Sequence, residues 1–185
     1  MIKINDILEL VNDELKTHYF KDITFYKVAE LIGQKEGEEP TIKRPAIQEG
    51  HGNYRFIQDD ARGLIVYHRI IGEVENDEDM DDGFGRNSLT TEKYTIKTVF
   101  YGQQQAINID VEDVNLYLAK EFKKLYPRNL TTLDKRNRIA ITSIDYDKVV
   151  IAEDEGIEIV PESILFAINS TITITSTENC TTICT

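Results

Sequence analysis

The stretch ILFAINSTITIT, residues 164–175, places Ile164, Phe166, Ile168, Ile172 and Ile174 on one parity, interrupted only by Ser170. A period of two marks a strand with one buried face. At ~3.3 Å per residue these residues span ~40 Å, while a chain of this length folds to a radius of gyration of ~16 Å. The strand is therefore expected to cross the whole domain and overhang the sheet at its C-terminal end. Overhanging Ile172 and Ile174, beside unpaired backbone groups, would be an aggregation hazard in a monomer. The expectation is that residues 169–185 form a β tail that adds to a partner chain, so that truncation after Ile168 leaves a folded protein. A hairpin at Glu178–Asn179 is the alternative cover.

Working outward, Asn5 is placed to cap a first helix whose Ile7, Leu8, Val11 and Leu15 share a face. Residues 23–33 read as a strand ended by glycine, and residues 34–53, rich in Gly, Pro and charge, as an extended loop. Arg62 to Gly72 is apolar on both parities, as a central strand is. Residues 73–87, EVENDEDMDDGFGRN, read as a solvated acidic loop. Lys93 to Gly102 is a strand. A second helix follows, with Asp110 as cap, Asp113 in the capping-box position and Val111, Val114, Leu118, Phe122 and Leu125 as the buried stripe. Arg138–Ile144 and Lys148–Ala152 suit a hairpin. Strands grouped between two isolated helices predict a single α+β domain over residues 1–185, an antiparallel β-sheet flanked by two helices.

With 185 residues, the chain is long enough to bury a sizeable core, and no apolar run approaches the ~20 residues that cross a bilayer. The net charge of −12 argues against a protein that grips nucleic acid from outside, but not against one that lets DNA slide past. Its two cysteines, Cys180 and Cys184, are too few and too close for a secreted disulfide scaffold.

Chemical signatures are weak throughout. Asp77, Asp79 and Asp81 have the first three spacings of a calcium loop, but Asp82 stands where glycine is needed and Ser88 where a bidentate Glu is needed. Cys180 and Cys184 lack zinc-knuckle spacing and have no second ligand pair. No nucleophile elbow, dinucleotide fingerprint or P-loop occurs. His18, His51 and His68 are scattered, and His68, in an apolar strand, reads as a core or interface residue. The expectation is a protein with no catalytic residue, metal or cofactor. Lys120, Lys123, Lys124, Arg128, Lys135, Arg136 and Arg138 form the one basic concentration. Three readings stand beside each other: a phosphate site, a surface meeting a neighbouring subunit's acidic loop, and a solvated face.

The pieces INDILELVNDEL, KYTIKTVFYGQQQ leading into DVEDVNLYLAKEFKKLYP, and the closing ILFAINSTITITS occur in an order that resembles the tail terminator and neck (head-to-tail joining) proteins of tailed bacteriophages. The composition is also similar to that of ring proteins in the tails of crAss-like phages. The resemblance implies a structural virion protein of the tail or neck, assembled in the host cytoplasm, and not an enzyme. It would form a homo-oligomeric ring between portal or connector and tail proteins, with DNA passing through the lumen without sequence recognition and no membrane contact. Asp77, Asp79, Asp81, Lys123, Lys124, Arg128, Arg136, Ile172 and Ile174 are then the candidate subunit or partner contacts. The competing expectations are a metal-dependent hydrolase using the acidic cluster and His51, and a cytoplasmic adaptor with no virion role.

Overall fold

A computed structural model describes residues 4–16, 23–34, 42–50, 53–57, 64–80, 87–103, 113–127, 129–130, 137–144 and 163–179. In chain order the elements are α1 (Ile4–Lys16), β1 (Ile23–Val28), β2 (Glu30–Gln34), β3 (Ile42–Gly50), β4 (Asn53–Phe56), β5 (Leu64–Ile70) and β6 (Glu75–Met80). They continue with β7 (Asn87–Gln103), α2 (Val114–Leu125), β8 (Asn129–Leu130), β9 (Asn137–Ile144) and β10 (Ser163–Asn179). The fold is α+β.

Its main sheet has the order β1-β5-β7-β10-β9-β8. At the centre β7 and β10 pair antiparallel along their whole length, from Ser163 opposite Gln103 to Asn179 opposite Asn87. Since β10 occupies one edge of β7 throughout, β5 and β6 share the other. β5 lies opposite Ile96–Gly102 and β6 opposite Ser88–Lys93. Between them the chain turns at Gly72, whose φ of 76° is open to glycine without strain. The sheet is mixed, because β1 runs parallel to β5 where an all-antiparallel sheet was expected.

Alternation along the strands divides the core into two layers. Leu64, Val66, Ile96, Phe100, Phe166, Ile168, Ile172 and Ile174 face both helices, meeting Ile7, Leu8, Val11 and Leu15 of α1 and Val114, Leu118, Ala119 and Phe122 of α2. Phe100 and Phe166, directly paired across the strands, stack with centroids 4.5 Å apart, and Phe122 closes on Phe100 at 4.5 Å. On the opposite face Ile65, Tyr67, Val99, Leu165 and Ala167 pack with Ala29 and Ile57, and Ile47 leans on them. Ile47 belongs to β3 and Ile57 follows β4, its N–H bonding the Pro45 carbonyl at 2.9 Å, so the small β2-β3-β4 sheet lies against the second face.

Several expectations are corrected here. Residues 23–33 are not one strand: the chain breaks at Ala29, whose N–H bonds the His68 carbonyl at 2.8 Å, and β2 leaves for the small sheet. The charged stretch at 34–53 contains β3 rather than only a loop, because β2 and β4 satisfy its backbone on both sides. Within the acidic segment 73–87, β6 forms because β7 extends to Asn87 and supplies a backbone partner, while Glu75, Asn76 and Asp77 stay exposed. In α2 the cap is Asp113, whose carboxylate accepts from Leu116 N–H at 2.9 Å; Asp110 and Val111 lie outside the described residues. Tyr126 ends that helix in an extended conformation, as a residue before proline prefers. Asn5 sits inside the first turn of α1 and is not its cap.

The tail is the largest correction. β10 does not overhang: β7 pairs it as far as Asn179, and β9 covers its other edge from Ser170 to Ser176. Ile172 and Ile174 are 0% and 1% exposed. They are core residues of the monomer and not partner contacts. Residues 180–185, with Cys180 and Cys184, lie outside the described residues, as does the expected strand at 148–152. Truncation after Ile168 should therefore abolish the cooperative thermal transition seen by circular dichroism, because it removes buried Ser170, Ile172 and Ile174 and strands β9. Within the full chain, Ile172→Ala should cost about 2–5 kcal/mol in urea denaturation. A truncated chain melting like the wild type would contradict this packing.

Candidate functional site

Among the described residues, buried Asn12, His68, Thr98, Tyr126 and Ser170 form a line of polar side chains beneath the helices. His68 on β5 is fully buried and sits directly opposite Thr98 on β7. Its Nδ1 is 3.0 Å from Thr98 Oγ1, and its Nε2 is 2.7 Å from Asn12 Oδ1 on α1. Thr98 Oγ1 lies 2.9 Å from the Tyr126 hydroxyl at the end of α2, which lies 3.1 Å from Ser170 Oγ on β10. The line ends where Asn12 Nδ2 donates to the Tyr26 carbonyl of β1 at 3.2 Å.

The proton order along this line follows from its last member. A carbonyl only accepts, so Asn12 must turn its NH₂ to Tyr26 and its oxygen to His68. His68 Nε2–H therefore donates to Asn12, which leaves Nδ1 as the acceptor for the Thr98 hydroxyl. With its proton spent, Thr98 accepts from Tyr126, and Tyr126 in turn accepts from Ser170. Every donor has one acceptor, and the chain runs one way from β10 to β1. It ties both helices to four strands of the sheet, β1, β5, β7 and β10. Burial alone pushes the His68 pKa down to about 3, so the imidazole is neutral; burial also raises that of Tyr126. Both nitrogens of His68 are engaged away from solvent, so it has nothing to offer a substrate and acts as a core residue, as expected.

Those of the expected contact residues that are described lie on β6, α2 and β10. Asp77 is exposed on β6 opposite Thr91, and Asp79 pairs through its backbone with Leu89. Asp81, Arg128 and Arg136 lie outside the described residues. Lys124 is exposed and paired with Glu121 at 2.6 Å. Lys123, expected on the surface, is only 6% exposed. It lies one turn after buried Ala119, so the covered face of α2 is wider than the apolar stripe. Among the described residues no three His, Cys, Asp or Glu side chains come together as a metal site. His18 and His51 are outside them.

Asn12, Thr98 and Tyr126 were missed by sequence reading. The available signals were two faults in otherwise apolar patterns, Ser170 in β10 and His68 in β5, and these two residues belong to the same line. A scan against protein-family models matches no family, and a search of curated proteins finds no similar one.

Because the folded His68 holds its proton only below about pH 3 while a free imidazole titrates near 6.5, the unfolded chain binds the extra proton between these values. Stability is full above pH 6.5 and declines as pH falls, by at most about 1.4 kcal/mol per unit from this group. Denaturation of wild type and His68→Gln across pH 7 to 4.5 should give converging stabilities at the acid end. Parallel curves would mean that His68 carries no such linkage. Thr98→Val should cost about 1–3 kcal/mol by leaving His68 Nδ1 and the Tyr126 hydroxyl without their partner.

Proposed function

We propose that this chain is a structural subunit of a tailed-phage virion, forming a ring in the neck or tail that joins the portal or connector to the tail around the DNA channel. The observation that carries the reading is the order and placement of elements. An N-terminal helix, a long central strand leading into a second helix, and a closing strand are the features on which the resemblance rests, and the closing strand pairs along the central one. Both helices cover one face of the sheet, and a separate small sheet covers part of the other. A subunit so built is covered by helices on one face and by the small sheet over part of the other, and offers its sheet edges to neighbours.

Opposite edges of this sheet are unlike: β1 and β6 on one side, β8 and β9 on the other. Unlike surfaces associate head to tail, and head-to-tail contacts close into rings when the rotation permits. The net charge of −12 suits a lumen that repels DNA phosphates and lets the duplex slide. In this reading the partners are further copies of the chain, the connector or portal side and the tail side.

Light scattering with negative-stain imaging tests the proposal. The purified protein, alone or with a connector partner, should form closed particles with a central opening. Raising salt from about 0.1 M to about 1 M shortens the screening length from about 10 Å to about 3 Å, and assembly through exposed charges should weaken accordingly. A monomer at every concentration, with or without partner, would sink the ring reading.

A further inference from the structure

The two helices are opposite in charge. α1 carries Asp6, Glu9, Asp13 and Glu14 against Lys16, and α2 carries Lys120, Lys123 and Lys124 against Glu121. At 3.6 residues per turn, Asp6, Glu9, Leu10 and Asp13 share the side of α1 that points away from buried Leu8, Val11 and Leu15. Leu116, Tyr117, Lys120 and Lys124 share the corresponding side of α2, away from Leu118, Ala119 and Phe122. Among the described residues, Leu116 and Tyr117 are the large apolar side chains left exposed, at 38% and 43%. Like charges one turn apart weaken a helix, and both outward stripes have them: Asp6, Glu9 and Asp13 on α1, Lys120 and Lys124 on α2. Glu9 pairs with Lys27, Asp13 with Lys16 and Lys124 with Glu121, but these ion pairs lie at the surface, where such pairs contribute little.

We propose that the helical face is an interface between two copies of this chain, related by a two-fold axis running between α1 and α2. The helices lie side by side on one face of the sheet. Such an axis lays α1 of each copy on α2 of the other, whatever the angle between the helices. Acid then meets lysine on both sides of the axis, which is the self-complementarity a two-fold contact requires. Leu116 and Tyr117 are covered by the partner helix, whose outward side carries Leu10. The charges also select this arrangement, because α1 laid on α1 would oppose acid to acid. Two helices about 20 Å long and about 10 Å wide offer a footprint of about 400 Å² per copy, below the ~800 Å² of a standard interface. The dimer is therefore weak and depends on concentration. It uses no sheet edge, so the inference stands independently of the ring reading.

Charge reversal tests this. Asp6→Lys/Asp13→Lys and Lys120→Glu/Lys124→Glu each set like charges across the axis. Their self-association, followed by sedimentation velocity up to about 500 μM, should weaken about tenfold or more relative to wild type. Mixing the two proteins, or combining all four changes in one chain, puts opposite charges back on both sides and should restore dimers of twice 21.2 kDa. Carbodiimide coupling of unlabelled with isotope-labelled wild type should join α1 carboxylates to Lys120 across chains, seen by mass spectrometry as mixed-label pairs. Leu116→Ser/Tyr117→Ser serves if a reversed protein has no cooperative melt, and should also lower association. Wild-type association in either reversed protein or in the serine variant, no rescue on mixing, or no mixed-label pairs between α1 and Lys120 overturns the helical contact. Closed rings seen in that case leave the ring reading standing. Dimers without rings support the helical contact and overturn the ring.

Discussion

Pairing of β7 with β10 is the constraint on which the rest of the structure depends. The two strands meet over 17 residues, and every other strand of the main sheet attaches to one or the other, directly or through one neighbour. Because side chains alternate, a slip of one residue would turn Phe166, Ile168, Ile172 and Ile174 away from the helices and bring Asn169, Thr171 and Thr173 beneath them. Hydrophobic burial opposes that slip strongly. A slip of two residues would keep the alternation, so burial alone discriminates against it weakly.

The buried polar line supplies the missing discrimination. Tyr126 reaches Thr98 on β7 and Ser170 on β10 together, which is possible in one register only. Shifted by two, Ile168 or Ile172 would stand at the Ser170 position and the phenol would lose a donor. The same chain fixes β5 through His68, and α1 and β1 through Asn12, so the helices and four strands share one set of hydrogen bonds. A buried polar group without its partner is costly. The line therefore acts as a register pin more than as a source of stability.

Sequence reading found what apolar periodicity encodes. The stripes of α1 and α2, the doubly buried β5 and the parity of β10 are all in the fold, and so is the α+β class. It failed where strand formation is decided by a distant partner. Glu75–Met80 has no strand-like alternation of apolar residues, and only the unexpected length of β7 makes it a strand. Lys43, Arg44 and Pro45 read as loop, yet β2 pairs with all three in a ladder. Ile172 and Ile174 were assigned to a partner surface because the length of β10 was judged without knowing that β7 matches it. For the residues expected to make contacts, sequence located the charges but not their register. That Asp77 on β6 lies in one cross-strand row with Thr91 and Thr175 is a property no single segment reveals.

The two halves of the sheet consequently have different roles. Around Val66, Val99 and Phe166 both faces are apolar and covered, by the helices on one side and by Ile47, Ile57 and Ala29 on the other. Beyond Ser170 the helix-facing parity stays apolar, but the other parity becomes Thr171, Thr173 and Thr175 beside Thr91, Lys93 and Thr95. Threonine keeps the β-branched shape that strands favour while presenting a hydroxyl. The outer half can thus remain a regular sheet without requiring a second apolar cover. That composition separates the two demands on β10, whose first half belongs to a core covered on both faces while its second half is apolar toward the helices and polar on the other face. Over residues 170–176 β10 keeps an unbroken register with β7, while its register with β9 shifts between Thr171 and Ile172, so the two neighbours constrain this half of the strand differently.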